Sequence, residues 1–182
     1  MTDAPHCIFL NGLPGSGKST FARSFIESRR GWLNLDVDVI RGLLGTFHVD
    51  FLSAGAEVQP LALAVLREQI AAGGNVIFPQ LFFVPEEARP FEEAVVAGGG
   101  HVHRVLLKEE TAECWRRVEG RANRAPSGSV EQKILTMLSA SGGVDELQRI
   151  ETQLFAWMDL PEPLRVITSA TPFSEVAALA YE

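Results

Sequence analysis

The sequence is poor in several things that would fix its class at once. Its two cysteines, Cys7 and Cys114, lie far apart and lack metal-ligand spacing, so both read as buried reduced thiols. No apolar run approaches a membrane span, because Arg, Glu or Gly interrupts each one. Basic residues are in the minority, 16 against 23 acids, and the net charge of −7 disfavours extended contact with a nucleic-acid backbone. A local basic patch stays compatible with that balance. The start, Met1-Thr2-Asp3-Ala4-Pro5, is acidic and lacks the basic-then-apolar order of a signal peptide, so a cytoplasmic protein is expected. Repeats, low-complexity tracts and linkers are missing too. What remains is an ordinary globular composition, 46% hydrophobic and 21% charged, over 182 residues. That length suits a single domain, 1–182, with a core large enough to need no staples.

One stretch organises the rest. Residues 6–26 read HCIFLNGLPGSGKSTFARSFI. The apolar run Cys7 to Leu10 meets the turn Gly12-Leu13-Pro14-Gly15-Ser16-Gly17, followed by Lys18, Ser19, Thr20 and a helical pattern with Phe21, Phe25 and Ile26 on one side. This is G-x-x-x-x-G-K-S/T with a strand before it and a helix after it. Glycines let successive N–H groups turn inward, and the helix N-terminus and Lys18 add positive charge. The Ser19 hydroxyl suits a Mg²⁺ ion. A nucleoside triphosphate is the ligand this chemistry serves.

Further along, strands and helices alternate. Gly31 is placed to close the first helix near Arg29-Arg30, and Trp32 to Asp36 reads as a second strand. Asp38 then caps a helix running to Leu44, and residues 45–56 read as a loop. A helix over about 57–72, strand Asn75–Phe78 and a helix opened by Pro85 follow. Val102–Leu107 is strand four, 111–123 is helical, and Ser129 with Gln132 has capping-box spacing. The next helix shares a face among Leu147, Ile150, Leu154 and Trp157. Leu164–Thr168 is strand five, with Thr171-Pro172 as N-cap and first residue of a last helix. The pattern predicts an α/β, three-layer fold: a five-stranded, mostly parallel sheet with helices on both faces. Ligands in such sheets sit beyond the carboxyl ends of the strands.

Candidate chemistry lies at those ends. Asp36 and Asp38, two apart, share a side if the strand persists. Asp38 suits an acceptor base or orienter and Asp36 a metal ligand, and capping by Asp38 is compatible with either. Arg41, one turn on, can fork onto an acidic acceptor or pair with Asp38 or Glu57. Arg117, Arg121 and Arg124 fall on one face ahead of the break Pro126-Ser127-Gly128. A lid over about 116–129 that carries arginines to the transferring phosphoryl has this construction, as does a solvated basic face. Gln80 ends strand three where an aspartate is common. Leu81-Phe82-Phe83 suits an acceptor wall or the core, and Phe47 and His48 sit in the expected loop.

The run GLPGSGKSTFARSFI…GWLNLDVDVIRGLL resembles the P-loop kinases that phosphorylate hydroxyls, most of all chloramphenicol phosphotransferase, shikimate kinase and the 5′-kinase domain of phage polynucleotide kinase. The resemblance implies ATP or GTP with Mg²⁺ as cofactors. Gly12 to Thr20 and Arg121 would bind the nucleotide, with Ser169 and Thr171 beside the adenine. Catalysis would fall to Lys18, Asp38, Arg117, Arg121 and Arg124, and metal binding to Ser19 and Asp36. An acceptor site of Asp38, Arg41, Phe47, His48, Gln80 and Phe82 follows, with Asp38-x-x-Arg41 matching the polynucleotide kinase element and Asp36-x-Asp38 that of shikimate kinase. Gln80 departs from polynucleotide kinase, which has an Asp there. The expected activity is phosphoryl transfer to a hydroxyl of a small molecule, an antibiotic or other natural product. A polynucleotide 5′-kinase, a nucleotide-dependent switch with little catalysis and a toxin acting on a sugar-nucleotide are the alternatives.

Overall fold

The computed structural model describes residues 4–155, 157 and 164–178. Its centre is a sheet of strands β1 (His6–Asn11), β2 (Trp32–Asn34), β3 (Asn75–Pro79), β4 (His101–Lys108) and β5 (Leu164–Thr168) in the order β2-β3-β1-β4-β5. Every pairing is parallel. Central strands covered on both faces must be apolar along their whole length, and Cys7–Leu10 and Val76–Phe78 are. Successive side chains then feed two separate cores. Ile8, Leu10, Ile77, Val105 and Leu107 meet Phe21 and Phe25 of α1 (Lys18–Ile26) and Val176 of α9 (Phe173–Ala178). On the other face Phe9, Phe78 and Leu106 join side chains of α4 (Phe51–Ala71), α5 (Pro85–Ala97), α6 (Thr111–Ala122), α7 (Val130–Ala140) and α8 (Val144–Leu154). Three layers result, as the alternation implied. No helix among the described residues is long and apolar enough to cross a membrane.

Several boundaries differ from the sequence reading. α1 stops at Ile26, where the Arg29 guanidinium donates to the Phe25 carbonyl and lies 4.1 Å from the Phe25 ring centre. Gly31, at φ 78°, instead serves the turn into β2. β2 ends at Asn34, so Asp36 and Asp38 are not strand neighbours. Asp36 is the N-cap of α2 (Val37–Arg41), and Asp38 lies inside its first turn. Residues 45–56 are helical, not loop: α3 (Thr46–Val49) runs into α4, which Asp50 caps by accepting the N–H groups of Leu52 and Ser53. The buried row Ala54, Val58, Ala62, Leu66 and Ile70 begins on a small residue, which hid the helix start. Ser129 accepts the Gln132 N–H at 3.4 Å as expected, but Gln132 Oε1 takes the Gly128 N–H instead of closing the box on Ser129. Thr171 does not cap α9. Its hydroxyl accepts the Thr168 N–H at 3.0 Å and closes the turn after β5.

Candidate phosphoryl-transfer site

Between β1 and α1 the chain forms a cradle. Gly15 and Gly17 adopt φ 87° and 104°, which only glycine takes at little cost. Gly15 has a second constraint: any Cβ there would collide with the backbone carbonyl of Cys114, so α6 rests directly on the turn. The N-terminus of α1 opens into the cradle behind Gly17. Lys18 Nζ donates to the carbonyls of Gly12 and Leu13 at 2.6 and 2.9 Å. Burial lowers its pKa to about 8, while the charges of Asp38 and Asp36 pull it upward and Arg121 pushes it down. Lys18 therefore feels two carboxylates from α2 and one guanidinium from α6. Ser16 Oγ is fully buried and has no protein partner among the described residues, a donor turned to a site made for oxygen anions.

Asp36 Oδ1 accepts the Asp38 N–H at 3.1 Å. The Asp38 carboxylate, released from capping, pairs with Arg41 at 3.1 Å. Burial raises the Asp38 pKa against the opposing pull of Arg41 and Lys18, and Asp36 and Glu131 push the same way as burial. Its side chain remains 40% exposed, so a ligand reaches it. Arg41 is 14% exposed, its guanidinium lies 4.6 Å from the Phe51 ring centre, and its Nε is buried without a partner. The surface alternative for Arg41 is thus half right: the partner is Asp38, but the pair is partly sunk.

Two concavities flank this junction. A cleft of about 440 Å³ runs from Gly15, Gly17 and Thr20 under Arg117, Arg121 and Arg124 to Ser169 and Phe173. A groove of about 580 Å³ lies on the β3 side, between α4 and α5. Its polar members are Arg41, Gln59, Gln80 and Glu87, and Leu63, Leu81, Phe83 and Phe91 are among its apolar ones. Phe82 both lines the groove and, at 3% exposure, belongs to the core beside Phe78, Phe91 and Trp157.

Some expected site residues are not brought together. Phe47 is 5% exposed and packs edge-on against Phe51 with Lys133 over its ring, and His48 is exposed beside it. Neither lines the groove, because 46–49 is a helix turned onto α4. Thr171 is absent from the cleft wall, whereas Ser169 is on it and donates to Glu109 at 3.4 Å. The three lid arginines are not equivalent. Arg117 is tied to Glu109 at 2.8 Å and to Glu113 at 2.7 Å, and hydrogen bonds from Arg116 and Arg117 hold the Glu113 pKa down to about 2. Arg121 and Arg124 have no carboxylate partner among the described residues. Sequence reasoning missed Asn11, a buried amide at the end of an apolar strand, although a polar residue at such a position was itself a signal.

No three His, Cys, Asp or Glu side chains gather as a metal cage among the described residues. Ser19 and Asp36 offer a hydroxyl and a carboxylate beside the cradle, hard oxygen donors of the kind Mg²⁺ takes together with phosphates and water. The donor set fits the ion.

Sheet order, cradle and roof of arginines define a P-loop nucleotide-binding fold of the kinase-like type. A family model described as an AAA domain matches residues 7–141, and the chain belongs to that family. Among solved structures, a chain of the Pnkp1/Rnl/Hen1 RNA repair complex is similar at a TM-score of 0.61 and 19% identity over 84% of this chain. This chain spans 47% of the length of that one. The tunicamycin resistance protein of Deinococcus radiodurans is similar at 0.58 and 16% identity, covering 97% of this chain and 93% of that one. A gluconokinase from Sinorhizobium meliloti 1021 gives 0.53 and 19% identity, over 98% of this chain and 90% of that one. At these identities the likeness is one of fold. No curated protein matches the sequence.

Proposed function

We propose that the protein is a Mg²⁺- and nucleoside-triphosphate-dependent phosphotransferase that moves the γ-phosphoryl to a hydroxyl of a small, uncharged, largely apolar molecule. The observation that carries this reading is the position of Asp38, which feels Lys18 of the cradle on one side and is paired with Arg41 of the groove on the other. A carboxylate at that junction accepts the proton of an acceptor hydroxyl as its oxygen attacks the γ-phosphorus and the β–γ bridging bond breaks. Lys18 and Arg121 hold the phosphoryl oxygens, and the cradle N–H groups hold the rest of the triphosphate. Ser19 and Asp36 would hold a Mg²⁺ ion, which would supply positive charge against that of the phosphates.

The groove favours a neutral acceptor. Among the described residues Arg41 is the one cation on its wall, and Asp38 already balances it. A phosphorylated sugar or a nucleic-acid end would bring negative charge to Glu87 and an occupied arginine, which argues against the polynucleotide reading despite the Asp38-x-x-Arg41 element. The apolar wall supports an antibiotic or other natural product as the acceptor class. Two measurements test the proposal. Mg²⁺-ATP or Mg²⁺-GTP at about 100 times its dissociation constant should add roughly 2.7 kcal/mol of stability. The melt should rise by about 5–11 °C, and Lys18→Ala should lose most of that gain. A screen of hydroxylated acceptors should then favour neutral compounds over phosphorylated ones. An unshifted melt with both nucleotides refutes the reading.

A further inference from the structure

Asn11 ends the central strand and is 2% exposed. Both polar atoms of its side chain are engaged. Oδ1 accepts the Gly12 N–H at 2.8 Å and the Phe82 N–H at 3.2 Å, while Nδ2 donates to the Phe82 carbonyl at 2.9 Å. One amide thus holds the first peptide of the cradle and both backbone groups of a residue in the groove wall. Beyond β3 no regular pairing remains to do this: the Gln80 N–H bonds to the Leu10 carbonyl at 3.2 Å, and the next link between the two chains is the Asn11 side chain.

The cradle end of that link is the end a triphosphate would meet. Lys18 Nζ now satisfies itself on the Gly12 and Leu13 carbonyls. A triphosphate competes for that ammonium with far greater charge, so its arrival frees both carbonyls and draws cradle N–H groups inward. The Gly12 carbonyl freed in this way belongs to the peptide that follows Gly12, and Asn11 holds the N–H of the peptide that precedes it, so the single residue Gly12 joins the two contacts.

We infer that Asn11 is a positioning residue that couples the two concavities, ordering the acceptor wall at Phe82 when nucleotide fills the cradle at Gly12. This rests on the nucleotide reading of the cradle given above. The physical element is a contiguous hydrogen-bonded path, Lys18 to Gly12 to Asn11 to Phe82, whose first member changes partners on binding. A buried amide that only satisfied its neighbours would hold Phe82 equally well with the cradle empty or full.

Amide hydrogen exchange on the full chain, with and without saturating Mg²⁺-ATP, separates the two roles. Residues 80–83 line the groove and do not line the nucleotide cleft. In the wild type their exchange should slow by at least about tenfold on adding Mg²⁺-ATP, since local opening governs it. Asn11→Ser keeps a hydroxyl near the Gly12 N–H but is too short to span to Phe82. In that variant the melt should still rise with nucleotide, while the slowing at 80–83 shrinks below about twofold. Unchanged wild-type exchange at 80–83 alongside a nucleotide-raised melt overturns the coupling and leaves the nucleotide reading standing. Full slowing in Asn11→Ser also overturns it. A melt that neither ATP nor GTP moves overturns the nucleotide reading, and the coupling with it.

Discussion

Asp38 and Arg41 form an ion pair at 3.1 Å within one turn of α2, while the capping of that helix falls to Asp36. The two carboxylates that the sequence offers two residues apart are therefore separated by position, one bonded to backbone and one paired with an arginine of the groove wall.

Substitutions at the two should diverge. Asp36→Ala removes a cap and should cost about 1 kcal/mol, within a range of about 0.5–2. For a chain of this length that is a melt lowered by about 2–4 °C. Asp38→Asn should leave the melt and the nucleotide-induced shift nearly unchanged and abolish single-turnover transfer to an active acceptor. Since burial raises the Asp38 pKa, the acid limb of the pH–rate profile should lie above that of an ordinary aspartate, with activity rising as the carboxylate ionises. A fully active Asp38→Asn would refute its role as base.

Among the lid arginines, Arg121 should matter most. Its charge reaches Lys18, and no carboxylate among the described residues holds it, whereas Glu109 and Glu113 hold Arg117. Arg121→Ala should slow transfer by at least about a hundredfold with an unchanged melt, because an arginine on the transferring phosphoryl is worth about 10³–10⁵. Arg117→Ala should lose less turnover and more stability, as Glu109 is left without its cation and Glu113 keeps only Arg116. Equal losses at Arg117, Arg121 and Arg124 would contradict this ordering.

Gly15→Ala tests the contact between turn and α6. The methyl meets the Cys114 carbonyl, and a φ of 87° adds backbone strain of about 1–3 kcal/mol. The melt should fall, and the nucleotide-induced shift should be lost with it. A variant that folds and binds nucleotide normally would show that the turn can move away from α6.

At the opposite end of the sheet, His6 Nδ1 and His103 Nε2 lie 2.9 Å apart, and the His101 ring is 5.1 Å from that of His6. Burial, followed by the charges of His6 and His101, lowers the His103 pKa to about 4. The unfolded chain, with a histidine pKa of about 6.5, binds more protons between those values. His103 therefore favours folding above about pH 6.5 and stops doing so as pH falls toward 4. The melt of His103→Gln should fall less between pH 7 and pH 4.5 than that of the wild type, and parallel declines would rule the histidine out.

Where backbone pattern alone decides, the sequence was readable. The apolar stretches around Phe9 and Phe78, the glycine turn and the alternation of elements led to a parallel sheet, and the spacing of Asp38 and Arg41 placed them on one face. The misreadings share a cause: the deciding contact comes from elsewhere in the chain. β2 ends at Asn34 because its ladder on β3 ends there, with Asn34 opposite Ile77, and that end decides which aspartate caps α2. Arg117 is tied by Glu109, which precedes α6. Phe47 and His48 were placed in the groove because Ala54 and Gly55 are too small to announce that α4 had already begun.

Among the described residues the two concavities share no wall residue. Those of the cleft come from the cradle, α1, the end of β4, α6 with the turn after it, and the segment after β5, and those of the groove from α2, α4, α5 and the stretch just beyond β3. On the proposed function, energy source and choice of acceptor would be written in separate parts of the chain, divided by one strand. The scaffold would then be retargeted by rewriting residues 55–63 and 80–91, with the phosphoryl-donating half inherited intact.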